Sequence, residues 1–249
     1  LVNTSDGIDF AGHTAKNITI TNNKIYSNGD KGIDFKQLNR DTYPFDNTQT
    51  KVFENISIIN NELSENTADC INSQLYYDDV NIGNFVIANN NIVMKVGGTG
   101  DVGVRIAPCV ATKDNAVIIR GNNISSLVTD YGYAIRLTDA NHVLVTENII
   151  SGGYNSCIYL DSQIEGTTCA YNIISENKAS NLRTGSRNVL NCGTGPANNK
   201  YVDNILENNR TGYLISTAIY VESTNIIAGN MDRTLHSAAP AGRINLNVI

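Results

Sequence analysis

The chain has 249 residues, a formal net charge of -6, no Trp, two Met and four Pro. A net negative charge with no Lys/Arg cluster leaves no electrostatic footprint for a phosphate backbone, so nucleic acid is not an expected partner. No run approaches the roughly 18 consecutive apolar residues of a membrane span, so no membrane insertion is expected.

The composition is crowded with Asn, Ile, Thr and Gly, which are strand and turn residues. In chain order, the first predicted element is a strand at Gly7-Ile8-Asp9-Phe10, followed by Asn17-Ile18-Thr19-Ile20-Thr21-Asn22-Asn23-Lys24-Ile25. The second stretch then returns along the chain, with an Asn at 23, 61, 90, 122, 148, 177, 204 and 230, at intervals of 26 to 38 residues. Three residues before that Asn stand Ile20, Ile58, Ile87, Ile119, Val145, Ile174, Tyr201 and Ile227. Two residues after it stand Ile25, Leu63, Ile92, Ile124, Ile150, Ala179 and Leu206, until Asp232 breaks the series. A second strand follows each Asn, most clearly Gly32-Ile33-Asp34-Phe35, Ala134-Ile135-Arg136-Leu137, Cys157-Ile158-Tyr159-Leu160 and Ala218-Ile219-Tyr220-Val221. Its apolar-polar alternation is that of a half-buried strand.

A coil of this length, with short strands and no helical period, predicts an all-β fold, a single-stranded right-handed parallel β-helix solenoid of about eight or nine coils. Residues 1–249 read as one such domain, with loop insertions near 36–54, 76–84 and 95–102. Leu1 falls inside a repeat and no basic segment with an apolar core precedes it, so the chain is expected to be a fragment of a longer one, without a signal peptide. The repeated Asn is assigned to the sharp corner of the coil, where Asn tolerates left-handed backbone angles and stacked amides hydrogen-bond from coil to coil.

With these repeats the sequence resembles the pectate-lyase-like superfamily of right-handed β-helix proteins, and most of all the β-helix domain of a phage tailspike or capsule depolymerase. The resemblance covers nearly the whole chain and implies the fold more sharply than the activity, because that fold carries lyases, hydrolases, epimerases and tailspikes.

Stacked in register, the outward centre of the second strand reads Asp9, Asp34, Asn72, Arg105, Arg136, Tyr159, Leu190, Tyr220 and Asn245. The next outward row reads Ala11, Lys36, Gln74, Ala107, Thr138, Asp161, Cys192, Glu222 and Asn247. Any solvated face is polar; it is the repetition of Arg105 with Arg136 and of Tyr159 with Tyr220 that points to sugar binding. Tyr43 and Tyr76, on insertions beside acids, are further candidate contacts. Asp161 and Glu222, two coils apart, approach the roughly 6.5–9.5 Å window of an inverting glycosidase, and Asp9 with Asp34 the roughly 5 Å spacing of a retaining pair.

The five cysteines, Cys70, Cys109, Cys157, Cys169 and Cys192, show no metal spacing and read as buried thiols, although Cys70 and Cys157 share a repeat position and leave a stacked pair open. His13, His142 and His236 are scattered over unrelated repeat positions, and no tight Asp cluster appears, so no metal or cofactor is expected. The function expected from the resemblance and the Asp/Arg/Tyr face is recognition and cleavage of a bacterial surface polysaccharide, outside the cell or on a virion, by a chain that forms a homotrimer. A secreted polysaccharide lyase or epimerase, and a non-catalytic adhesin or fibre segment, remain the alternatives.

Overall fold

The computed structural model describes residues 5–12, 14–36, 51–74, 80–95, 101–107, 109–126, 132–162, 169–182, 188–193, 195–208, 214–216, 219 and 224–233. The chain passes through three strands and returns. The first pass is β1 (Ile8–Ala11), β2 (Thr14–Thr21) and β3 (Lys24–Tyr26); the second is β4 (Ile33–Lys36), β5 (Lys51–Ile59) and β6 (Glu62–Ser64). The third is β7 (Ile71–Gln74), β8 (Val80–Ala88) and β9 (Asn91–Met94). The fourth holds β10 (Asp101–Ala107), β11 (Cys109–Val110), a single 3-10 turn at Lys113–Asn115, β12 (Val117–Arg120) and β13 (Asn123–Ser126). The fifth holds β14 (Gly132–Thr138), β15 (Ala140–Asn141), β16 (Val143–Thr146) and β17 (Ile149–Gly152). Then follow β18 (Ser156–Asp161), β19 (Ile173–Ser175) and β20 (Lys178–Asn181); β21 (Asn188–Cys192), β22 (Lys200–Val202) and β23 (Ile205–Asn208); and finally β24 (Ile226–Ala228) and β25 (Met231–Asp232).

Each strand of a pass pairs in parallel with its equivalent one pass later. Sheet A is β1-β4-β7-β10-β14-β18-β21, sheet B is β2-β5-β8-β12-β16-β19-β22-β24, and sheet C is β3-β6-β9-β13-β17-β20-β23-β25. The protein is therefore a parallel β-solenoid. From β1 to β21 it winds through about six complete turns, fewer than the eight or nine coils expected. The shortfall has a plain source: β24 and β25 extend only sheets B and C, and residues 234–249, where a further coil was expected, lie outside the described residues.

The core is the stack the repeat predicts. Ile20, Ile58, Ile87, Ile119, Val145, Ile174 and Tyr201 are aligned in sheet B and buried. Ile25, Leu63, Ile92, Ile124, Ile150, Ala179 and Leu206 form the matching stack of sheet C. Each Ile or Leu so enclosed contributes about 1.5–3 kcal/mol.

At the corner between these stacks the asparagines form a continuous ladder. The backbone N–H and Nδ2 of Asn90 both donate to Oδ1 of Asn122, 3.0 Å away, and Asn122 donates in the same way to Asn148, Asn148 to Asn177 and Asn177 to Asn204. Each amide also donates to a core-strand carbonyl, as Asn122 Nδ2 does to Ile87 O at 2.9 Å. Asn61 through Asn204 are buried, while Asn23, on the first described pass, is exposed. The left-handed angle expected of the ladder Asn belongs instead to the residue before it. Asn22, Asn60, Asn89, Gly121, Glu147, Glu176, Asp203 and Gly229 have φ of 54–65°. Turning one residue early leaves the next amide facing inward, where it stacks.

Two cysteine expectations resolve here. Cys70, Cys157, Cys169 and Cys192 are buried free thiols. The sheet A register sets the Gly103 and Ala134 positions between Cys70 and Cys157, so these two do not stack.

Candidate functional site

The outer face of sheet A carries the residues singled out by the repeat. Asp9, Asp34, Asn72, Arg105, Arg136 and Tyr159 are aligned strand by strand. The row then departs from expectation: Tyr159 pairs with Asn191, and Leu190 pairs with Ile158 and is fully buried. An apolar side chain takes the core position, which slips the alignment by one residue. Cys192 likewise turns inward beside Leu160, and Gly193, whose N–H donates to Leu160 O, takes the outward place next to Asp161. Beyond β21 the row also leaves its expected course, because Leu190 pairs next with Ile215, not with the strand expected at 218–221, and the Ser216 N–H donates to Leu190 O. Tyr220, Glu222, Tyr43, Tyr76 and Asn245 lie outside the described residues, so the Asp161/Glu222 separation is not defined.

Along this face the chemistry changes. At the β1–β7 end Asp34, expected to face solvent, is fully buried, and Asn72 Nδ2 donates to its Oδ1 at 2.6 Å. Lys36 Nζ lies 2.7 Å from Asp6, 2.9 Å from Asp9 and 3.5 Å from Asp34, and Lys31 Nζ lies 3.4 Å from Asp34. The fold thus gathers a tight Asp6/Asp9/Asp34 cluster that the sequence, which separates them over two passes, did not display. The Lys36 ammonium stands within ion-pair distance of all three carboxylates, and Asp9 and Asp34 meet across it. Burial raises the Asp34 pKa, offset in part by the Asn72 hydrogen bond and by Lys31. Asp6 is also partly desolvated, but its Lys36 hydrogen bond and the Lys31 N–H outweigh that and lower its pKa.

In the middle, Arg105 is fastened rather than displayed. Its Nε and Nη2 donate to Asp69 Oδ2 at 2.6 Å and Oδ1 at 3.1 Å, and Val102 N–H donates to the same Oδ1 at 2.8 Å. A buried carboxylate held by a guanidinium fork and a backbone donor ties the third pass to the fourth.

On β14 and β18 the face is different again. The Tyr133 and Tyr159 rings stack at 4.8 Å, the Arg136 guanidinium carbon lies 5.4 Å and 5.7 Å from their centroids, and Arg136 Nη2 meets Asp161 Oδ2 at 3.4 Å. Arg136 and Asp161 are both about one-seventh exposed, and Arg136 Nε is buried without a hydrogen-bond partner among the described residues. Burial, with Asp161 and Tyr133 nearby and Arg136 opposing, pushes the Tyr159 phenol up to about 12, so it stays protonated and able to donate. Four groups that bind sugars by stacking and hydrogen bonding converge on two adjacent strands. The structure brings together Arg136, Tyr159 and Asp161 from the expected set. It adds Tyr133, three residues before Arg136, and Gly193. Reading the row three positions upstream would have found Tyr133; Gly193 depended on the one-residue slip.

No protein-family model, no curated protein and no solved structure matches the chain. The class the fold defines, a parallel β-solenoid with a mixed aromatic and charged outer face, rests on the geometry alone.

Proposed function

We propose that the chain recognises and cleaves a bacterial surface polysaccharide laid along the outer face of sheet A, in the manner of a tailspike β-helix acting outside the cell or on a virion. The observation that carries this reading is the Tyr133/Arg136/Tyr159/Asp161 cluster on consecutive strands of an outward face. A stripe along a solenoid suits an extended polymer, since each coil adds about 4.8 Å of surface. Asp161 is the carboxylate within this cluster, and the acid–base step is assigned to it.

Incubation with a panel of bacterial capsules and O-antigens tests this. Oligosaccharides with new reducing ends are expected from at least one member, lost in Asp161→Asn. Unsaturated products absorbing in the ultraviolet would reassign the chemistry to a lyase. Binding without release would leave an adhesin, and no binding at all would remove the reading.

A further inference from the structure

The outer face of sheet B is not the polar surface expected of a solvated sheet. From β8 onward its first outward row reads Val86, Ile118, Leu144, Ile173, Lys200 and Ile226. The second, two residues further along each strand, reads Ala88, Arg120, Thr146, Ser175, Val202 and Ala228. The first row is an aliphatic rib interrupted once by Lys200, and Ile173 and Ile226 in it are 36% and 50% exposed. The second is a lane of smaller side chains except for Arg120. Ser175 Oγ donates to Thr146 Oγ1 at 3.2 Å, so the hydroxyls in its floor bond each other.

A continuous aliphatic row on a surface marks a site of association. Val, Leu and Ile offer a sugar neither a ring to stack on nor a hydrogen bond. An anionic lipid surface is opposed by Glu147, Glu176 and Asp203, which follow the lane on three successive passes and are exposed. The face is complementary to itself. Rib and lane run side by side at the same heights, so a two-fold axis along the solenoid between them exchanges the two. Each copy's rib then enters the other's lane on the same pass, Leu144 against Thr146, Ile173 against Ser175 and Ile226 against Ala228. Arg120 and Lys200 lay their stems along Ile118 and Val202 of the second copy and carry their charges to the rim. A surface stays in step with this one along its length only if it shares the coil spacing of about 4.8 Å.

Charge favours the same arrangement. The axis sets Glu147 opposite His142, Glu176 opposite Tyr171 and Asp203 opposite Asn198, so each carboxylate faces a side chain that can donate to it. An antiparallel pair would instead set rib on rib and the acid row along itself. From Val86 to Ile226, and across from the His142 row to the Glu147 row, the face measures roughly 25 Å by 20 Å. A pair therefore buries about 1,000 Å² in total, at the lower bound for a specific interface.

We infer that the sheet B face is a self-association surface joining two copies of the chain in parallel, rib into lane. The inference does not depend on the glycan reading of sheet A.

Sedimentation velocity on the full chain at about 100 μM, where an interface of this size associates, is expected to show a dimer. Ile173→Glu, which places a charge on an exposed rib position, is expected to weaken the dimer on the order of 100-fold or more while the far-ultraviolet circular dichroism is unchanged. A second experiment tests the arrangement without adding charge. Ile173→Cys mixed with Ser175→Cys is expected to give a disulfide-linked pair under mild oxidation, in larger yield than either variant alone. A monomer at that concentration, a trimer, or a dimer that Ile173→Glu leaves intact overturns the inference, and so does cross-linking no greater in the mixture than in the separate variants.

Discussion

The asparagine corner and the outer face of sheet A are built on the same coil and follow opposite rules. At the corner every pass repeats one residue, and its hydrogen bonds close within the chain: Asn122 alone donates to Asn148 and Ile87 and accepts from Asn90. On sheet A aligned positions read Asp, Asp, Asn, Arg, Arg, Tyr and Asn, and the groups pair differently on each pass. A solenoid is stabilised by what recurs, because each coil is buried only by its neighbours. What departs from the repeat on an outward face is released from that duty, so departures are where function is to be sought.

The largest expected effect tests the corner. Asn122→Leu leaves the Asn90 donors buried without their acceptor and removes the amide bond to the Ile87 carbonyl, and a loss of about 3 kcal/mol in unfolding free energy is expected by chemical denaturation. An unchanged transition would mean that the ladder is ornamental and the comparison empty. Next comes the face: Asp161→Asn should reduce oligosaccharide release on the order of 100-fold while the denaturation midpoint stays close to wild type. A large stability loss there would place Asp161 with the corner instead.

The two arginines divide the face itself. Arg105→Gln strips the fork from buried Asp69 and is expected to cost about 2 kcal/mol of stability. Arg136→Gln, losing a 3.4 Å contact to Asp161 and its place over the Tyr133 and Tyr159 rings but no bidentate fork, should cost less stability and more glycan affinity. The reverse order would exchange their roles. A smaller effect sharpens the corner: Glu147 holds a left-handed φ of 57°, so Glu147→Asn should gain about 0.5–1 kcal/mol.

The smallest effects are pH-dependent and opposite in sign. Asp34 has a pKa raised above its ordinary 3.8, so ionising it costs the folded state stability, a cost absent at low pH that grows as pH rises from the unfolded value through the folded one. Asp34→Asn should therefore melt higher than the parent at pH 7, with the gap closing below about pH 4. Asp6, whose pKa is lowered, contributes stability above its unfolded value and loses it as pH falls through the folded one. Asp6→Asn should melt lower at pH 7, and that gap should close in acid.

The sequence by itself determined the parts that repeat. A recurring Asn flanked by Ile at fixed offsets carries its own register, since one coil can be aligned on the next without coordinates, and from it follow the parallel β-solenoid, the two aliphatic stacks and the amide ladder. Tertiary structure alone decided what happens between non-equivalent positions. The left-handed turn falls one residue before the ladder Asn because the amide must face inward to bond, which repetition cannot distinguish. Leu190 rather than Asn191 turns inward because burial of an aliphatic chain outweighs an unbroken count of two. Asp6, Asp9 and Asp34 meet around Lys36, Arg105 closes on Asp69, and Tyr133 reaches Tyr159, through diagonal contacts between coils. Diagonal contacts depend on side-chain length and direction across adjacent strands, and a one-dimensional period holds no information about them.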